Sequence, residues 1–251
     1  MMSDLPIRVE HLMVLGVLLV VLVIAGLVII TVIRSKQKEE EKQAFLKMIG
    51  FRGFPQVPEA VLSRLEGLFQ GRDRREIQIQ SVFQRDIPQG TLYFLDVLDA
   101  GEEEDWLGSE VILVVSPELA LPQAFVTGRF ALEERFPDWM SGLAEKAIDW
   151  TASKGGFSRL DLAVHPHLDR KLLVMGRDVQ ALDAFFTPRT LSQLIWLAEP
   201  DQVTSLTTGG DCFVLDRISP ARDQDWKANL RALLDDARRA LDVLAQEGLF
   251  S

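Results

Sequence analysis

The chain has 251 residues, 47% of them hydrophobic, and a formal net charge of −10. An acidic chain has no general electrostatic attraction for DNA, RNA or anionic lipid surfaces, so nucleic acid is not an expected partner. A single cysteine, Cys212, leaves no disulfide framework to suggest export.

A short segment, residues 1–11, precedes the run "LMVLGVLLVVLVIAGLVIITVI" from Leu12 to Ile33, which carries no charge. A helix of that length covers roughly 33 Å, enough to cross a bilayer core. A cleaved signal peptide fits poorly, because its apolar region is shorter and ends at a small-residue cleavage site. The run therefore predicts a transmembrane helix over 12–33, with the lipid bilayer as its partner. Arg8 alone precedes it, whereas Arg34, Lys36, Lys38 and Lys42 follow. That bias puts the N-terminus outside and the C-terminal part in the cytoplasm of a bacterial inner membrane. Glu39, Glu40 and Glu41 interleave with the basic residues, so this is not a polybasic lipid clamp.

Residues 34–70 read as a juxtamembrane helical linker. Helix formers run from Ser35 to a plausible C-terminal cap at Gly50, "RGFPQVP" is a short connection, and Val61, Leu65 and Leu68 mark a second helix. Residues 71–251 then read as one domain. "EIQIQSVF" alternates Ile77, Ile79 and Ser81 with glutamines, as in a strand with one wet face. "DIPQG" is a turn into the strand "TLYFLDVL", and an acidic loop leads to "EVILVVS". A short strand "AFVTGRF" precedes an expected helix over 137–150. Beyond it come the strand "KLLVM", a helix capped by Asp178, and another helix over "TPRTLSQLIWLAE". "TTGGD" reads as a hairpin turn, and a helix with an apolar stripe from Trp226 to Leu244 closes the chain. Six or seven strands in hairpin order predict an α+β fold, with helices packed on a mostly antiparallel sheet. A pleckstrin-homology-like barrel with a C-terminal helix is the alternative.

"LFQGRDRREIQ", "LYFLD", "VILVVSPELALPQAF" and "HPHLDRKLLVMGRDVQALDAFF" follow one another after the apolar run. This order resembles a family of uncharacterised bacterial single-pass membrane proteins with a cytosolic α+β domain. The likeness covers the chain from about Leu68 to Phe186. Its motifs are structural, and the resemblance implies no biochemical activity.

"VHPHLDR" holds His165 and His167, two of only three histidines. If both were extended, their imidazoles would share a face and begin a metal site. A third ligand at a recognised spacing is missing, so a bend is the preferred reading. "TTGGDCF" stops short of a nucleotide-cyclase signature, and neither a phosphate loop nor a nucleophile elbow is present. Trp106 and Leu107, beside the run Glu102–Asp105, are candidates for docking on a partner or a bilayer surface. The expectation is a membrane-anchored, non-catalytic adaptor that binds a protein partner and needs no cofactor. A small-ligand or sensory module, or an enzyme with no recognisable signature, are the alternatives.

Overall fold

The computed structural model describes residues 39–68, 77–99, 108–129, 156–199, 203–218 and 226–248, with positions 33, 36 and 37 before them. The chain divides into two compact units, Met1–Gly50 and Phe51–Ser251. In the first, residues 39–48 form helix α1. Gly50 ends it at φ 92°, a left-handed conformation that a Cβ would strain, and its N–H donates to the Lys47 carbonyl at 3.1 Å.

Among the described residues, the second unit is built on one nine-stranded sheet, antiparallel at every pairing. The strands are β1 (Arg52–Phe54), β2 (Ile77–Ile87), β3 (Gly90–Asp99), β4 (Gly108–Val115), β5 (Leu121–Gly128), β6 (Ser158–Arg159), β7 (Leu172–Gly176), β8 (Val203–Gly210) and β9 (Cys212–Ile218). Their order is β1-β2-β3-β4-β9-β8-β5-β7-β6. The described helices of this unit are α2 (Glu59–Leu68), α3 (Pro166–Asp169), α4 (Val179–Phe185), α5 (Pro188–Gln193) and α6 (Trp226–Gly248), with a 3-10 turn at Ile195–Ala198.

Strand alternation sorts the core into two faces. On one, α2 lays Val61, Leu65 and Leu68 against Val82, Leu95, Val111, Leu113 and Val214. The opposite parity, with Leu92, Phe94, Ile112, Val114 and Phe213 all buried, faces α6. That helix buries Leu230, Leu233, Leu234, Ala237, Leu241 and Leu244 along one stripe. Glycine lets the neighbouring helices approach. A Cβ at Gly128 would lie 2.6 Å from Ala198 Cα in the 3-10 turn.

These observations are consistent with an α+β class but correct the predicted fold in two respects. No helix among the described residues is long and apolar enough to cross a membrane, so a transmembrane helix is not an element of the described fold. The longest described helix, α6, has 23 residues, yet it alternates its leucines with Arg231, Asp235, Arg238 and Asp242. The span expected over 12–33 lies outside the described residues except for Ile33. The barrel alternative fails because the sheet of the described residues is open: β1 and β6 end it and do not pair with each other.

Local departures have local causes. "RGFPQVP" was expected as a bare connection but contains β1, whose three residues are too few to show alternation. In β2 a bulge falls between Ile79 and Ser81, which pair with Val97 and Asp96. Gln80 is therefore the extra residue, and the parity read from Ile77 does not carry through to Val82. The single helix expected over "TPRTLSQLIWLAE" breaks at Leu194 (φ −92°, ψ 2°), where the chain tightens into the 3-10 turn. The helix expected over 137–150 lies outside the described residues.

Candidate functional site

Pro88 and Gln89 form the two-residue turn between β2 and β3, closed by the pair Ile87 and Gly90. The buried Ser116 hydroxyl donates to the Gln89 carbonyl at 2.5 Å, fastening the turn to the end of β4. Gly90 allows this closeness, since a Cβ there would meet the Val115 carbonyl and Ser116 Cα. The turn is thus a fixed rim.

Across from this rim runs α6. Arg238, Leu241 and Asp242 stand three and four residues apart, hence on one helix face. Between helix and hairpin lies an open notch of about 310 Å³, which these residues line together with the segment from Arg85 to Gln89. Ile87 and Pro88 supply apolar surface, with the buried Leu241 behind them. Arg85 and Ile87 share the parity of Phe83, which points them toward the α6 layer. Asp86 points the other way: its Oδ1 accepts from Gln84 Nε2 at 2.9 Å, two residues back on the same face. The notch is nonetheless lined by two residues of each sign, Arg85 and Arg238 beside Asp86 and Asp242. Arg238 also lies 3.7 Å from Asp235, but both side chains are well exposed and the pair is weak. The cleft is thus edged by charges of both signs, which suits a polar surface able to pair with them.

The displaced acidities lie elsewhere. Arg64 on α2 grips Asp211 in the β8–β9 turn, with Nη2 donating to Oδ2 at 2.6 Å and Nε to Oδ1 at 3.1 Å. The hydrogen bond from Arg64 holds the Asp211 carboxyl below its ordinary range. Next to it, the Cys212 thiol is pushed up to about 11, first by burial and then by the Asp211 charge. Burial likewise raises Tyr93. Such shifts often mark catalytic groups. Here the Asp211 shift comes from a bidentate ion pair that joins α2 to the sheet, the other two come first from burial, and Cys212 is held as the unreactive thiol.

A third cluster gathers around "VHPHLDR". His165 stands before a one-turn helix, α3, at φ −125° and ψ 70°. His167 lies within that helix, so the two imidazoles do not follow strand alternation. Among the described residues, no three His, Cys, Asp or Glu side chains are grouped to hold a metal ion. What anchors the segment is Asp169, whose Oδ1 accepts from Arg129 Nη2 at 3.2 Å and from Arg159 Nη2 at 3.0 Å. These arginines come from the end of β5 and from β6, forty and ten residues away, and local sequence reading gives no sign of them. Trp106 and Leu107 lie outside the described residues. The notch was likewise missed, although α6 itself was legible, because Arg85 and Arg238 are brought together only by the sheet.

No protein-family model matches the chain, and no curated protein does. Among solved structures it is similar to the mycobacterial trehalose monomycolate transport factor A, TtfA. The TM-score is 0.47 at 14% sequence identity, covering 80% of this chain and 91% of that one.

Proposed function

We propose that the chain is a non-catalytic protein-interaction module that receives its partner at the notch between the β2–β3 turn and α6. The observation that carries this reading is the notch itself, open and edged by Arg85, Asp86, Arg238 and Asp242, on a rim that Ser116 holds in place. Small-molecule pockets enclose their ligand in mostly apolar walls. This cleft is open and edged with charge, as in the polar rim of a protein interface. The groups with displaced acidity serve the α2 clamp, so no acid–base pair is directed into the cleft.

The test is site-specific photocrosslinking in cells, with the photoreactive residue at Gln89 or, as a control, at the exposed Asp183. A discrete protein adduct from Gln89 that is absent from Asp183 and lost in the Arg238→Glu variant supports the reading. Equal labelling from both positions, or none from Gln89, overturns it.

A further inference from the structure

We draw no further inference here: the strongest candidate, the sheet edge at β1 (Arg52–Phe54), where Phe54 is exposed and β2 pairs outward only through Val82, Phe83 and Gln84 among the described residues, carries nothing because nothing in the structure shows what covers it.

Discussion

Arg64 and Asp211 are 147 positions apart in sequence, yet the Arg64 guanidinium donates to both carboxylate oxygens of Asp211. The pair joins α2 to the tip of the β8–β9 hairpin. Gly210, at φ 61°, makes that tip tight enough to present the carboxylate. A second tie runs from Gln123 Nε2 to the Gly67 carbonyl at 2.9 Å, near the other end of the helix. The apolar contacts of Val61, Leu65 and Leu68 hold α2 down, and the two polar ties fix its position along the sheet.

Replacing Asp211 by Asn tests the first tie. Both side chains are about a third or more exposed, so solvent screening limits the effect to about 1 kcal/mol or less. The folded-state pKa of Asp211 is lowered from 3.8. Its contribution is therefore present above that ordinary value and is lost as pH falls through the lowered one. Urea unfolding should show wild type more stable than Asp211→Asn at pH 7, with the gap closing on acidification below about pH 4. A gap that persists at pH 2 would assign the effect to shape rather than charge.

Cys212 behaves in the opposite sense. Its folded pKa is raised from 9.0 to about 11, so the stabilisation is complete below pH 9 and is lost as pH rises toward 11. Two pKa units correspond to a loss on the order of 2 kcal/mol. Wild type should lose stability across that window, and Cys212→Ala should lose less, each read by urea midpoint. In the native protein at pH 8, a disulfide reagent should label the thiol at least about a hundredfold more slowly than in urea, because the native thiol is both buried and neutral.

The parts of this fold that were legible in the sequence are those specified by neighbouring residues. Asp178 reads as an N-cap, and its carboxylate accepts from the N–H groups of Gln180 and Ala181. "TTGGD" reads as a hairpin turn, and Gly210 and Asp211 form one. The α6 stripe is visible because every third or fourth residue is apolar. What stayed hidden depends on partners far along the chain. Asp169 looks like a solvated residue until β5 and β6 bring Arg129 and Arg159 to it. The one-residue bulge in β2 changes which side chains face inward, yet Gln80 has nothing in its own chemistry to announce it. The notch combines both difficulties: Arg85 lies in a strand and Arg238 on a helix, and only the packed sheet makes them neighbours.

Phe94 tests the α6 face of the core. It is fully buried in β3, and its ring lies 6.3 Å from that of Phe83 at 56°. Phe94→Ala removes the ring at the centre of the sheet and leaves a cavity that neighbouring strands cannot easily close. A loss of about 3–5 kcal/mol is expected in urea unfolding, against about 1 kcal/mol for Phe94→Leu. Equal losses would mean that the strands relax around the site.

Two glycines predict opposite signs for the same substitution. At Gly176, at the end of β7, a Cβ would press on the Gln123 carbonyl and lie 2.8 Å from Leu182 Cδ2. The first neighbour is backbone of β5, which cannot swing aside, and the second is a buried residue of α4. Gly176→Ala should therefore cost about 1–3 kcal/mol through overpacking. At Gly67, inside α2, an added Cβ meets nothing within 4 Å. There the methyl group restricts the unfolded chain and favours helix, so Gly67→Ala should gain up to about 1 kcal/mol. Thermal unfolding of the two variants beside wild type reads both signs at once. A loss at Gly67 would show that α2 is held closer to its surroundings than the open space around that position indicates.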